Sequence, residues 1–112
     1  MEKFEIGSVV SVSFPFSNLK GQKIRPALVL ARVEFDNLIL CQITSKPYTS
    51  KIAICMMKDD FMFGELPRVS YVRPDKLFTT DKSLVIRGVG RLKKEIRQKI
   101  LRKVGKLFNE VK

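Results

Sequence analysis

Histidine is absent from this sequence of 112 residues, and cysteine occurs only twice, at Cys41 and Cys55. The lack of histidine excludes an imidazole base, a histidine metal ligand and a Ser-His-Asp triad. Two cysteines this far apart provide neither a CxxC redox pair nor a four-ligand zinc site. Because each cysteine lies in an apolar segment, we expect two buried free thiols, with one cross-strand disulfide as the alternative.

Long apolar runs are also missing. No run approaches the ~18 residues that a membrane span needs, and the N-terminus lacks the basic-then-apolar layout of a signal peptide. We therefore expect a soluble, cytoplasmic protein with no membrane partner. The length and the 45% hydrophobic composition are typical of one globular domain, predicted to span residues 1–112.

Acidic residues are scarce relative to basic ones. The chain has 22 Lys and Arg against 11 Asp and Glu, which gives a formal charge of +11 and a pI of about 10.0. Such an excess favours a polyanionic partner, since each cation that neutralises a phosphate releases a counterion. However, residues 93–112 alone hold eight basic and two acidic residues, so part of the charge has the simpler role of solvating a helix face.

The remaining pattern predicts short strands followed by one helix. Segments rich in β-branched residues are separated by a polar loop at 17–23, a turn at Asp36-Asn37 and an irregular acidic loop at 59–67. Pro26 is expected only at the first position of its strand. The predicted strands are 7–16, 26–33, 38–44, 51–56, 69–72 and 83–90.

From about residue 93 to 110 the apolar spacing changes to that of a helix. The apolar stripe comprises Ile96, Ile100, Leu101, Val104, Leu107, Phe108 and Val111. Five or six strands with a C-terminal amphipathic helix indicate a mainly β fold, a small antiparallel barrel over about residues 5–91 with the helix packed on one side.

Two polar clusters flank the apolar strands. Arg25 precedes Pro26 and is suited to clamp a phosphate with two hydrogen bonds, although a solvated surface arginine is the simpler interpretation. Residues 42–46 end a buried strand with Thr44, Ser45 and Lys46, which either contact a phosphate or sugar or form an ordinary turn before Pro47.

A third cluster covers residues 70–76. Arg73 and Asp75 are two positions apart, so they share a face in an extended chain, and a salt bridge between them is the simpler interpretation. The same pair is also suited to proton transfer at an RNA 2′-hydroxyl.

Taken in order, these segments resemble the PemK/MazF-like toxin family, the ribonucleases of toxin-antitoxin pairs. The resemblance covers nearly the whole chain. It is carried by Gly7-Ser8-Val9-Val10 with Phe14-Pro15-Phe16, Gly21 with Arg25-Pro26-Ala27-Leu28-Val29-Leu30, Gln42-Ile43-Thr44-Ser45-Lys46, Ser70-Tyr71-Val72-Arg73-Pro74-Asp75-Lys76-Leu77, Asp81-Lys82-Ser83 and Val89-Gly90-Arg91-Leu92.

The resemblance implies an SH3-like barrel that forms a homodimer, cuts single-stranded RNA without metal or cofactor, and is silenced by an antitoxin bound over its RNA groove. By matching motif, the catalytic residues are Arg25, Thr44, Arg73 and Asp75, with Asp75 as the base and the arginines stabilising the phosphate. Loop 17–24 matches a mobile loop over the substrate. The expected RNA-binding residues are Lys20, Lys23, Gln42, Ser45, Lys46, Lys76 and Phe78.

Two departures from the family pattern concern the site. Some relatives carry a histidine in the first loop, which this chain lacks, and Phe78-Thr79 stands where many relatives have Arg-Thr. Phe78 is suited to stack on a base, to pack in the core or to join a dimer interface. The apolar residues considered for that interface are Phe61, Met62, Phe63, Leu77 and Phe78, with core positions as the alternative for each.

Three functions therefore remain to be distinguished. The first is a metal-independent endoribonuclease, favoured because Arg25, Thr44, Arg73 and Asp75 occur together. The second is a barrel of the same fold that binds RNA or a protein without cleaving. The third, a DNA-binding repressor, is supported only by the net charge.

Overall fold

The computed structural model describes residues 4–15, 22–46 and 51–109. Within these residues the chain forms seven strands and one α-helix, where the sequence predicted five or six strands. The elements are β1 (Ser8–Pro15), β2 (Gln22–Val33), β3 (Asn37–Thr44), β4 (Ile54–Met56), β5 (Phe61–Gly64), β6 (Ser70–Asp81), β7 (Val85–Leu92) and α1 (Lys94–Asn109). The mainly β fold with a C-terminal helix is thus confirmed.

All strands pair antiparallel in one sheet of order β4-β6-β3-β2-β1-β7-β5. Side chains alternate between its two faces, so each central strand contributes to two separate cores. The helix-side core contains Val9, Leu28, Leu30, Cys41, Ile43, Ile54, Met56, Phe61, Val72, Leu92 and Ile100. The far-side core contains Phe4, Val10, Val12, Ala27, Val29, Leu38 and Leu40.

The helix begins and ends within one residue of its predicted bounds, but its apolar stripe is only partly covered. Ile100 is fully buried in the helix-side core, and Ile96 and Val104 pack against that core. Leu101 is 36% exposed and Phe108 is 73% exposed, so both point away from the sheet. Val111 lies outside the described residues. No helix in the described part of the chain is long and apolar enough to span a membrane.

The second strand begins four residues earlier than predicted. Gln22, Lys23 and Ile24 were assigned to the loop, yet they pair with Pro15, Phe14 and Ser13 of β1. Strand pairing is made by backbone hydrogen bonds and needs no apolar side chains. The hydrophobic pattern of the sequence therefore did not indicate a strand at these three residues. The prediction that Pro26 could only start the strand is also wrong. Pro26 pairs with Ser11 on one side, while β3 pairs with β2 only from Ala27 onward, so the missing N–H interrupts no ladder there.

The turn after β2 is centred one residue earlier than predicted. Phe35 and Asp36 have φ values of 62° and 59°, and the Asn37 N–H donates to the Glu34 carbonyl at 3.3 Å. Two central residues with positive φ define a type I′ hairpin turn, whose twist matches that of the flanking strands.

The region predicted as an irregular loop at 59–67 contains a strand. After a 3₁₀ turn at Lys58–Asp60, strand β5 pairs with β7 at the edge of the sheet. Gly64 makes this pairing possible, because its φ is +76° and an added Cβ would lie 2.1 Å from the Val89 carbonyl oxygen. The strand predicted at 51–56 is formed only over its last three residues, Ile54–Met56.

Strand β6 is three times longer than predicted, and the strand predicted at 83–90 begins instead with a 3₁₀ turn at Lys82–Leu84. The Ser83 N–H donates to Asp81 Oδ1 at 2.8 Å, and this hydrogen bond lowers the pKa of Asp81. Accepting this hydrogen bond stabilises the ionised Asp81 carboxylate. The same hydrogen bond caps the 3₁₀ turn at the end of β6.

The two thiols differ in environment. Both are free, but Cys41 is fully buried whereas Cys55 is exposed on the edge strand β4, so the prediction of two buried thiols is wrong for Cys55. The physical reason is strand alternation, since Ile54 and Met56 face the core and the residue between them cannot. Burial, and secondarily the Asp75 carboxylate, raises the pKa of the Cys41 thiol to about 12.

Candidate active site

A cleft of about 700 Å³ lies where β1, β2, β3 and β7 meet the loop before β6. The sequence-predicted residues Lys23, Arg25, Thr44, Ser45 and Lys46 all line it. The structure therefore brings the start of β2 and the end of β3 to one cleft. Lys20 and most of loop 17–24 lie outside the described residues.

The register of the sheet explains why Arg25 and Thr44 meet. The β2–β3 ladder ends at the pair Ala27–Gln42, and Arg25 and Thr44 each lie two residues beyond that pair on adjacent strands. Gln42 in turn pairs with Arg73 of β6. Residues directly opposite in a ladder, and residues two apart in a strand, share a face. Arg25, Gln42, Thr44 and Arg73 consequently project from the same face of three adjacent strands.

The cleft carries a strong excess of positive charge. Among the described residues its cations are Lys23, Arg25, Lys46, Arg68 and Arg87, and its one lining carboxylate is Glu65. That carboxylate is already paired, because Lys58 Nζ lies 3.6 Å from Glu65 Oε1. A concave surface with clustered cations attracts polyanions and stabilises charge that develops on a phosphate.

The hydroxyl of Thr44 is held by a local hydrogen bond. Thr44 Oγ1 accepts from the Lys46 N–H at 3.2 Å, so this hydroxyl satisfies a local backbone group, while Pro47 lies outside the described residues. A hydroxyl that accepts in this way still has its own proton to donate. Thr44 can therefore keep this local hydrogen bond and still donate its hydroxyl proton to a substrate.

A second cavity of about 270 Å³ adjoins the cleft through Arg25, which lines both. It is also lined by Gln42, Lys76 and Phe78, three of the predicted RNA-binding residues. The Phe78 ring packs edge-to-face against Phe14, with centroids 5.0 Å apart, and against the far-side core. Among the three roles considered for Phe78, core packing is the one observed.

Arg73 and Asp75 bind each other. Arg73 Nη2 lies 2.9 Å from Asp75 Oδ2, and Arg73 Nε donates to Asp75 Oδ1 at 3.4 Å, so the expected salt bridge is present. The register of β6 against β3 jumps from Leu77 to Arg73, which leaves residues 74–76 as a bulge. Bulges re-aim side chains and are frequent beside active sites. As defined by the described residues, neither cavity is lined by Arg73 or Asp75.

Two cations of the cleft, Arg68 and Arg87, were missed by the sequence reasoning. Arg87 lies on β7, where it pairs with Ser11, which pairs on its other side with Pro26. Arg68 lies in the loop before β6. Only long-range strand pairing brings these residues to the cleft that Arg25 also lines, and no local motif marks them.

The apolar residues considered for a dimer interface divide into two groups. Phe61 is buried and Leu77 packs against the helix-side core, so these two occupy core positions. Met62 and Phe63 are exposed on β5. For metal binding, the described residues contain no cluster of three or more His, Cys, Asp or Glu side chains.

Comparison with known proteins agrees with this fold. The family model for the PemK-like, MazF-like toxin of type II toxin-antitoxin systems matches residues 5–108. The solved structure of MazE-MazF from Deinococcus radiodurans (form II) is similar with a TM-score of 0.75 at 18% identity, covering 96% of each chain. No curated protein matches the chain.

Two further solved structures are similar in fold. A mycobacterial endoribonuclease in complex with its cognate antitoxin has a TM-score of 0.71 at 17% identity, covering 95% of this chain and 96% of that one. The Mycobacterium tuberculosis toxin MazF-mt6 has a TM-score of 0.67 at 19% identity, covering 92% of this chain and 99% of that one. At these identities the similarity establishes the fold.

Proposed function

Because this chain belongs to the PemK-like, MazF-like family of type II toxin-antitoxin toxins, we propose that it is an endoribonuclease that cleaves single-stranded RNA without a metal ion. The observation that carries the proposal is the shared cleft of Arg25 and Thr44, which holds four further cations. A phosphodiester in this cleft would meet guanidinium and hydroxyl donors from two adjacent strands. These groups suit a pentacoordinate phosphate, whose oxygens gain negative charge.

The proposed reaction uses the RNA 2′-hydroxyl as the nucleophile. The Asp75 carboxylate accepts the hydroxyl proton, the 2′-oxygen bonds to phosphorus, and the bond from phosphorus to the 5′-oxygen breaks. The products are a 2′,3′-cyclic phosphate and a 5′-hydroxyl, whose proton comes from water. Arg25 and Arg73 hold the phosphate, and one of them donates a hydrogen bond to the leaving oxygen. Thr44 donates its hydroxyl to a phosphate oxygen.

Arg73 and Asp75 line neither cavity, so the proposal requires the substrate to extend from the cleft past Gln42, which pairs with Arg73, and to meet Asp75 in its salt bridge. Its side chain is 33% exposed while it is held by Arg73, so the carboxylate faces both its partner and solvent. A phosphate that binds Arg73 competes with the carboxylate for the same guanidinium, which frees an Asp75 oxygen. Substrate binding and release of the base are thereby coupled in this mechanism.

The partners follow from the same comparison. Two of the similar solved structures are toxins bound to antitoxins. We propose that this chain is likewise bound by an antitoxin, which inhibits it by placing carboxylates over the cationic cleft, and that it forms a homodimer, as the resemblance implies.

The test is cleavage of a long single-stranded RNA in EDTA with mapping of the cut ends. The wild type is expected to give discrete fragments with 2′,3′-cyclic phosphate or 3′-phosphate ends. Arg25→Ala should lower the rate by roughly 100- to 1,000-fold, because it removes a charged donor to the phosphate. Arg32→Ala is the matched control on the exposed end of the same strand, and it should cleave like the wild type.

A second pair of variants tests the base. Asp75→Asn keeps the shape of the side chain and should lower the rate by about 100-fold or more, whereas Asp59→Asn on the exposed 3₁₀ turn should not. Wild-type protein that binds several RNAs but leaves them intact would make this a binding module. Preference for duplex DNA over single-stranded RNA would favour a repressor instead.

A further inference from the structure

The smaller cavity beside the cleft has a lining that the proposed reaction does not account for. Its volume of about 270 Å³ lies just below the roughly 300–1,000 Å³ of pockets that hold drug-sized ligands, so it suits a group as small as one nucleobase. Arg25 lines both the cavity and the cleft. The proposed reaction uses this arginine but gives no role to the other lining residues, which are Phe14, Gln42, Lys76, Leu77 and Phe78.

Strand register relates the cavity to the predicted base of the reaction. Phe78 pairs with Leu40, and Gln42 lies two residues after Leu40 on β3. Gln42 pairs in turn with Arg73, the partner of Asp75. Residues directly opposite in a ladder, and residues two apart in a strand, share a face. The cavity therefore adjoins the cleft at one side and reaches the residue opposite Arg73 at the other.

Two aromatic rings line the cavity together. The rings of Phe14 and Phe78 pack edge to face, with centroids 5.0 Å apart and planes at 60°. In such a pair one ring contributes its edge, so its partner does not cover the faces of that ring. Both side chains are half-buried and pack against the far-side core, which holds them in place. The pair thus offers a fixed aromatic surface on which a planar base can stack.

The Gln42 carboxamide is the group in the cavity that can read the edge of a base. Arg25 and Lys76 only donate hydrogen bonds, whereas a carboxamide both donates and accepts. Gln42 is half-buried, and its side chain forms no hydrogen bond within the described part of the chain. A donor and an acceptor side by side match N7 and the N6 amino group of adenine, which glutamine contacts with two hydrogen bonds.

The cations and the aromatic pair together favour a single strand. Lys76 is exposed in the bulge at residues 74–76, and Arg25 stands at the border with the cleft, so both are placed to bind phosphates beside the base. A base enters such a cavity only when it is unpaired, since in a duplex its faces are covered by neighbouring bases and its pairing edge is occupied.

We propose that this cavity is a base-selecting subsite, in which an unpaired adenine stacks on the Phe14 and Phe78 rings and hydrogen-bonds the Gln42 carboxamide. Arg25 and Lys76 bind phosphates of the same strand. The adenine then lies next to the phosphate that Arg25 holds, so RNA is cut beside an adenine. This last statement rests on the proposed function, whereas binding of the base does not.

The first test measures binding to single strands that cannot be cleaved. The strands are uracil oligonucleotides of about five 2′-deoxynucleotides, which lack the attacking 2′-hydroxyl, and their central base is adenine, cytosine, guanine or uracil. The wild type should bind the adenine strand about tenfold more tightly than the others, and Gln42→Ala should abolish this preference. Gln98→Ala, which changes an exposed glutamine of α1, is the matched control and should keep the preference.

Two more variants separate reading of the base from stacking. Gln42→Glu replaces the donor by a second acceptor, so the preference should move from adenine to cytosine, whose N4 amino group donates to a carboxylate. Phe78→Leu keeps an apolar side chain in the far-side core but removes the ring, so it should weaken binding of all four strands by about tenfold. Phe108→Leu removes an exposed ring on α1 and should leave the affinities unchanged.

Three results would overturn the proposal. Equal binding of the four strands by the wild type would mean that the cavity reads no base. An adenine preference that survives in Gln42→Ala would assign the selection to another part of the protein. A wild-type preference for guanine would mean that the cations read the base instead of the carboxamide.

Mapping of the cut ends in a long RNA keeps these outcomes apart from failure of the proposed function. The wild type should show adenine at one fixed position beside its cuts, and Gln42→Ala should lose this bias. A wild type that prefers the adenine strand but never cleaves RNA would refute the endoribonuclease and leave the subsite assigned. Cleavage without a fixed adenine, together with equal binding of the four strands, would refute the subsite and leave the endoribonuclease.

Discussion

Replacing Cys41 by alanine removes a thiol whose titration makes the folded protein less stable at high pH. The side chain is fully buried in the helix-side core, and burial raises its pKa from 9.0 to about 12. Between these two values the unfolded chain releases the thiol proton and the folded chain keeps it. Because the folded state binds more protons in this window, the free energy of unfolding falls as pH rises from about 9 to 12.

The magnitude follows from the size of the shift. Each pH unit between the two pKa values costs about 1.4 kcal/mol, so the thiol destabilises the folded protein by about 1.4 kcal/mol on going from pH 8 to pH 10. The Cys41→Ala variant leaves a small cavity, which lowers its stability by about 1 kcal/mol at both pH values. The difference between wild type and variant should therefore shrink or reverse at pH 10.

The assay is urea unfolding in reductant at pH 8 and pH 10, with the m-value checked for constancy. Every other titratable side chain is present in both proteins, so the comparison isolates the thiol. Cys55→Ala is the matched control, because it removes a thiol that is exposed in the folded protein. A difference between wild type and Cys41→Ala that stays the same at both pH values would refute the reasoning.

Other substitutions test the packing. Ile100→Ala should lower the free energy of unfolding, measured with urea, by about 2–5 kcal/mol. Leu101→Ala, on the exposed side of the helix, should lower it by less than about 1 kcal/mol. Equal losses would contradict the observed packing of α1 on the sheet. Gly64→Ala should destabilise because of its positive φ and the Val89 carbonyl, whereas Gly105→Ala should raise the melting temperature by removing an unneeded helix glycine. In native protein, iodoacetamide should label Cys55 and spare Cys41 by mass spectrometry, and rapid labelling of Cys41 would contradict its burial.

Features that depend on neighbouring residues were predictable from the sequence. The helix was placed within one residue at each end because its apolar spacing is local, and the apolar runs of β2 and β3 identified two central strands. The resemblance named Arg25 and Thr44, and the pairing of β2 with β3 across a short hairpin is itself a local feature. The lack of histidine excluded several chemistries without any structure.

Only the tertiary structure decided which distant residues share the site. Arg87 lines the cleft because β7 pairs with β1. Arg68 lines it because β6, which follows Arg68, begins beside the end of β3. The bulge at residues 74–76 aims Asp75 at Arg73, and strand alternation exposes Cys55. Such pairings join segments far apart in the chain, and local sequence does not encode them because their stability comes from contacts made only in the folded sheet.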